Sequence, residues 1–387
     1  MRVDAMNACR TAGGRLRWLR PPVRLMQHLI RWSPRTLWRL SVLGLAATTM
    51  AGCVSADVES GVFMISTADG AVEYIGESAG IPVWSPTGDA LAWGNEDGVF
   101  VRVLDEPEAR QLADGNVPGV PAWSPDGNRL AFVDSDAASL VVVSATSGSE
   151  QFTQPIDVSR SDGSRFPLIT LGGPTWAPDG SRLAFVCWDG AGDEVCVVDA
   201  DGRGLRQVTR LKLRGSAAGT PTRQSTMADS NAGPPAWSPL GNIVAVPIYP
   251  ERPGAPTGVF LVNVDVGVAR RVSSLQPNSA VSWFPNGGSL LFSAFRQERS
   301  DAIRVRLRTS TLHSLTAGLP QASRNPALSG DGSQIAVESG TGVVVLGAGR
   351  PAREFTVPGL RSTNPAWSPG GEAIAVAAIT DPIVIYN

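Results

Sequence analysis

The chain has 387 residues, 43% of them hydrophobic and 18% charged, with 42 glycines, 30 prolines and a formal net charge of −2. That length allows a large core, and this composition suits an all-β protein with many turns rather than one of long amphipathic helices. The first 52 residues hold nine of the 33 basic residues and one of the 35 acidic ones; the remainder keeps 24 against 34, a net −10, opposite in sign to a nucleic-acid binder.

In chain order, residues 1–52 read as a leader. A basic stretch from Arg2 to Arg39 precedes the apolar run Leu40–Ala47, which ends in Met50-Ala51-Gly52-Cys53. The run is too short for a comfortable membrane span and has the layout of a secretory signal. Ala51-Gly52-Cys53 resembles the bacterial lipobox, which implies lipidation of Cys53 as the mature N-terminus and attachment to the cell membrane. Met1 and Met26 are alternative starts. Residues 53–60 form a tether, and 61–387 form the folded domain.

That domain opens with two β-prone runs, Gly61–Ser66 and Ala71–Ile75. A phrase then recurs, anchored on Trp84, Trp123, Trp176, Trp237, Trp283 and Trp367, with Leu328 in the tryptophan place of a seventh copy. A glycine follows each anchor four residues later, from Gly88 to Gly371, and six copies have proline two residues after the anchor. Proline ends a strand because it cannot donate to a ladder, and an Asp-Gly pair supplies the turn. The strand that follows is apolar at every position, as in Leu130-Ala131-Phe132-Val133, so both its faces are covered. A third, β-branched run and a fourth strand complete each unit, the composition of one propeller blade.

Trp-Ser-Pro-Asp-Gly followed by Leu-Ala-Phe-Val, with a later Val-Asp-Ala-Asp-Gly and Leu-Arg-Gln-Val-Thr, resembles the TolB-type (WD40-like) β-propeller repeat, and the copy from Pro174 to Thr209 carries it most fully. The resemblance covers roughly residues 61–387. The expected fold is all-β, a seven-bladed propeller of four-stranded antiparallel blades. The last copy supplies strands at Ala366-Trp367, Ala373–Val376 and Ile383–Tyr386. Ala71–Ile75 would then complete it, with Gly61–Ser66 in excess.

Anchor spacing locates two insertions. One is near Ser149–Leu171; the other, Leu211–Gly233, carries Lys212, Arg214 and Arg223. Arg252, in the proline-rich loop Tyr249–Pro256, marks a third candidate binding loop. Cys187 and Cys196 fall on neighbouring strands of one blade, within reach of a cross-strand disulfide in an exported protein.

Catalytic chemistry has little foothold: beyond the leader, His313 is the one histidine, and no Gly-x-Ser-x-Gly elbow occurs. Asp134-Ser135-Asp136 and Asp199-Ala200-Asp201-Gly202 read as turns rather than calcium loops. The expectation is therefore a non-catalytic, extracytoplasmic, lipid-anchored propeller with no cofactor or metal, one that binds or scaffolds other molecules. The TolB resemblance implies envelope proteins as partners. The alternative is a glycan-binding or carbohydrate-active propeller, which needs acids and exposed aromatics at the channel mouth, with Trp93 and Trp188 as the non-anchor candidates.

Overall fold

The structure is a computed structural model that describes residues 60–77, 80–155, 173–188, 193–209, 230–250, 257–296 and 299–380. The chain divides between Ala56 and Asp57, and every described residue belongs to the second unit, Asp57–Asn387. That unit is a seven-bladed β-propeller of antiparallel blades.

Blade 1 runs Val83–Trp84, Ala90–Gly94, Gly98–Val103 and Arg110–Asp114; blade 2 runs Ala122–Trp123, Arg129–Asp134, Ser139–Ser144 and Glu150–Pro155. Blade 3 follows with Thr175–Trp176, Arg182–Trp188, Asp193–Asp199 and Arg206–Gln207. In blade 4, Ser230–Ala232 and Ala236–Ser238 both pair with Gly241–Pro250, which leads to Gly258–Asn263 and Ala269–Ser273. Blade 5 is Ser282–Trp283, Ser289–Arg296, Arg299–Arg306 and Thr311–Ser314, and blade 6 is Ser323–Leu328, Gln334–Ser339, Gly342–Gly347 and Arg353–Phe355. First strands pack on those of neighbouring blades and so form the inner ring.

Blade 7 closes the circle, and here the structure corrects the sequence reading. Its first two strands are Arg361–Trp367 and Ala373–Ile379, but the third is Gly61–Ser66, paired to Ala373–Ile379 from Gly61↔Ala378 to Ser66↔Ala373. Val72–Glu77 is the fourth. Gly61–Ser66 is therefore not in excess: it takes the place expected of Ile383–Tyr386, which lies outside the described residues. The physical reason is composition. Both segments are short apolar β-formers, and Val62 and Ile65 gain complete burial in this slot.

The core is not one body but seven wedges, one between each pair of adjacent blades. Leu130 and Phe132 point into the wedge shared with blade 1, while Ala131 and Val133, on the other face of the same strand, point into the wedge shared with blade 3. Side chains alternate along a strand. Unbroken apolar runs are thus the signature of a sheet with a neighbour on each side.

The repeated phrase builds the turn between first and second strands. In blade 2, the Gly127 N–H donates to the Ser124 carbonyl (2.9 Å), and Gly127 adopts a φ of 73°, a left-handed conformation that suits glycine. The Ser124 hydroxyl donates to Asp126 and also accepts the Arg129 N–H (2.9 Å). Four anchors fasten blades to one another through their indole N–H groups. Trp84, Trp123, Trp176 and Trp283 donate to the carbonyls of Ala366, Val83, Ala122 and Ala236, in each case the residue before the preceding blade's anchor. Trp237 donates instead to Gly241 of its own turn (2.8 Å).

The turn carboxylates give the fold an acid sensitivity. Hydroxyl donors hold Asp89, Asp126 and Asp179 below the usual carboxylate range, and Ser329 with Ser333 lowers Asp331 to about 2. A carboxylate whose folded value is depressed stabilises the fold above its unfolded value of about 3.9, and that contribution is lost as pH falls through the folded value. Denaturant unfolding should show stability declining between pH 4 and pH 2, and Ser124→Ala should flatten part of that decline.

Candidate functional site

Four antiparallel strands send their connections alternately to two faces of a propeller. The turns from first to second strand and from third to fourth lie on one face, where they are short and the first-to-second turns are built by the repeat. The connections from second to third strand, and from fourth strand to the next blade, lie on the other. The described strand ends that flank all three sequence-predicted loops are at that second face; the loops themselves lie outside the described residues. Residues 156–172 bridge blades 2 and 3, residues 210–229 bridge blades 3 and 4, and residues 251–256 join the second and third strands of blade 4. Lys212, Arg214, Arg223 and Arg252 lie outside the described residues, as do the leader and Cys53. Of the longer insertion, Ser230–Ala232 is described, and it adds a second inner segment to blade 4.

This insertion face also holds the four buried carboxylates among the described residues: Asp193, Glu194, Asp301 and Glu338. Two belong to a repeated clasp. In blade 3 the Thr209 hydroxyl donates to Glu194 and accepts the Val195 N–H (2.9 Å); in blade 5 Thr316 donates to Asp301 and accepts the Ala302 N–H (2.9 Å). The acid and threonine together satisfy an edge amide that would otherwise be orphaned. Asp193 accepts the Ala232 N–H (2.9 Å) and so binds the insertion's last strand to blade 3.

Glu338 stands apart from this pattern. It accepts Nδ2 of Asn325 and a guanidinium N–H of Arg361, both at 2.9 Å, linking the inner strands of blades 6 and 7. Those inner strands are longer than the two-residue strands of blades 1, 2, 3 and 5 and share Asn-Pro-Ala before the anchor position. Asn325 and Asn364 take positive φ values of 44° and 50°, each at a bulge in its strand pair. Nearby, Arg299 pairs with Asp301 at 3.1 Å. Tyr249, at the same end of blade 4, donates its phenol to the Ser279 carbonyl of blade 5 (2.9 Å), and burial raises its pKa so that it stays a donor.

Toward the axis, blades 2 to 5 line an open cavity of about 550 Å³ whose wall includes Pro174, Pro178, Pro235, Trp237, Trp283 and Pro285. None of the described residues lining it is charged, so this wall offers shape and apolar surface rather than ionic contacts. Two anchor tryptophans therefore face the channel as well as a wedge. Sequence reasoning missed this, although the proline two residues after each anchor tryptophan was a signal of an exposed, rigid inner strand.

Trp93 and Trp188, the candidates of the glycan-binding alternative, and His313, the one histidine beyond the leader, fare differently. Trp93 is 1% exposed in the wedge between blades 7 and 1, so it offers no platform to a sugar; its strand has a blade on each side. The backbone of Trp188 pairs with Asp193 at the end of a strand. His313 is exposed on the outer strand of blade 5. The aspartates of 134–136 and 199–202 cap turns: Asp134 accepts the N–H groups of Asp136 and Ala137, and Asp201 that of Arg203. Cys187 and Cys196 are joined in blade 3 across neighbouring strands, with 5.8 Å between their Cα atoms.

No family model matches the chain, and no curated protein matches it by sequence. Solved structures do. The β-propeller domain of Cps50 (Swd1) from Myceliophteria thermophila is 14% identical, covering 78% of this chain and 97% of its own, with a TM-score of 0.56. Oligogalacturonate lyase from Vibrio parahaemolyticus is 13% identical, covering 84% of this chain and 99% of its own, also at 0.56. A protein described as TolB from Agrobacterium tumefaciens is 18% identical, covering 71% of this chain and 95% of its own, at 0.48. At these identities the likeness is one of fold. It nonetheless corrects the expectation of a non-catalytic protein, since a lyase shares this fold over nearly its whole length. The scarcity of histidine bears only on mechanisms that need it, and carboxylate or arginine chemistry does not.

Proposed function

We propose that this propeller is an extracytoplasmic binding module, lipid-anchored through Cys53, that engages a cell-envelope protein with its insertion face. The observation that carries this reading is the asymmetry of the two faces. One consists of short turns, half of them built by the repeated phrase. The other has the described ends of the long connections, the buried carboxylates among the described residues and the Glu338–Arg361 pair. A rigid scaffold that elaborates one face only is the usual arrangement of a binding surface. The signal-like leader and the Cys187–Cys196 pairing favour an exported protein, since disulfides persist in oxidising compartments.

Cross-linking of the full lipoprotein in its native membrane, followed by mass spectrometry, tests the reading. The comparison is a variant in which residues 211–229 become a short glycine-serine linker, leaving Ser230–Ala232 in place. The expected result is one envelope protein captured by the parent and lost from the variant. Capture of polysaccharide alone would replace this reading with the glycan-binding one. Undiminished capture by the variant would remove the insertion from the site.

A further inference from the structure

We propose that the propeller rests on the lipid surface by the sector of its insertion face formed by blades 5 to 7, with the tight-turn face directed away from the membrane. The proposal depends on the lipidation of Cys53 put forward above. Gly61–Ser66 is the third strand of blade 7, and its first residue is at the insertion-face end, where Ser60 accepts the Thr380 N–H (3.2 Å). Cys53 precedes Ser60 by seven residues, a span of at most about 25 Å even when fully extended. The six-residue strands of a blade separate the two faces by about 20 Å. A lipid on Cys53 therefore reaches the insertion face far more readily than the opposite one.

The chemistry of blades 5 and 6 in that sector suits the headgroup layer; blade 7 contributes the tether and the exposed Glu77. Phe295 is 47% exposed at the insertion-face end of blade 5, where most phenylalanines of the fold lie buried in wedges, and Leu315 is exposed at the same end. Arg296 adjoins Phe295, and Arg324 is exposed at the start of the neighbouring inner strand of blade 6. Blades 5 and 6 meet here: the Ser300 hydroxyl donates to the Ser323 carbonyl (2.7 Å), and Arg299 to the Gln321 carbonyl (3.2 Å). Exposed aromatic side chains beside arginines favour the interface of an anionic bilayer. On blades 1 and 2 the same face presents Glu96, Asp97 and Asp136, all exposed, which an anionic surface repels. The face should therefore tilt, with blades 5 to 7 down and blades 1 and 2 raised.

The test uses the full lipoprotein reconstituted in vesicles of equal parts phosphatidylcholine and phosphatidylglycerol, with a nitroxide-headgroup lipid as quencher. A fluorophore is placed in turn at Gln321→Cys (blade 6, insertion face), Asp136→Cys (blade 2, insertion face) and Val266→Cys (blade 4, tight-turn face). Quenching should be several-fold greater at 321 than at 266 and intermediate at 136. Adding Phe295→Ser with Arg296→Ser should lower quenching at 321 toward that at 136. Equal quenching at 321 and 266 overturns the orientation; equal quenching at 321 and 136, or no effect of the double substitution, overturns contact by blades 5 and 6. Mass spectrometry of the N-terminal peptide separates the two levels. An unacylated Cys53 overturns the anchored reading and this proposal together, whereas an acylated Cys53 with uniform quenching overturns this proposal alone.

Discussion

Replacing Trp93 with alanine should destabilise the propeller by about 3–5 kcal/mol, the range for emptying a large aromatic site in a packed core. The residue is fully enclosed in the wedge between blades 7 and 1 with Val62, Ile75 and Leu91, and its ring lies parallel to that of Phe100, with centroids 6.0 Å apart. It also covers Gly76, where an added Cβ would lie 2.7 Å from the indole edge, so no side chain from the neighbouring strand can move in to fill the void. Among the described residues the indole N–H meets no acceptor, so the expected loss is one of packing. Denaturant unfolding measures it: a lowered midpoint is expected for Trp93→Ala, with most of the loss recovered in Trp93→Phe. A change under about 1 kcal/mol would mean that the wedge collapses around the gap.

Removal of the Cys187–Cys196 link is the second large effect. A bridge across a separation of nine residues restricts the unfolded chain by about 2–3 kcal/mol on the chain-entropy account. Both cysteines are buried in the wedge toward blade 2, so substitution by alanine tests the link with less disturbance than substitution by serine. Cys187→Ala with Cys196→Ala should lower the unfolding midpoint, and reductant should lower that of the parent but not of the variant. Alkylation of two thiols in the denatured, unreduced parent would show that the bridge is not formed.

The blade was legible in the sequence because its determinants are local. Proline two residues after each tryptophan, glycine four residues after it and an apolar run beyond it are all set within about a dozen residues, and the structure places them in one turn and two strands. Closure was not legible, because it depends on competition between distant segments for one slot. Gly61–Ser66 and Ile383–Tyr386 have the same character, and only the packing of Val62 and Ile65 against their neighbours favours the first. The site was read in part. Chain spacing pointed to the insertions, but that they share a face follows from strand direction, and the pairing of Glu338 with Asn325 and Arg361 joins residues on three strands of two blades. Trp93 was misread for a related reason: an extra tryptophan off the anchor position looks free until the wedge that encloses it is seen.

The seam in blade 7 has a consequence for how the molecule is made. Thr67 donates to the carbonyls of Gly371 and Glu372, contacts that span more than 300 positions of the chain. The first strand of the propeller to be synthesised is thus among the last to find its partners, and blades 1 to 6 must form, or wait, with an open edge at each end of the arc. Long-range pairing of this kind slows folding and prolongs the exposure of unpaired strands. A nascent propeller released before residue 373 lacks the strand that receives Gly61–Ser66, so it would carry an apolar hairpin without its partner. Completion of the ring is in this sense a proofreading step, because a molecule truncated near its end cannot hide its beginning.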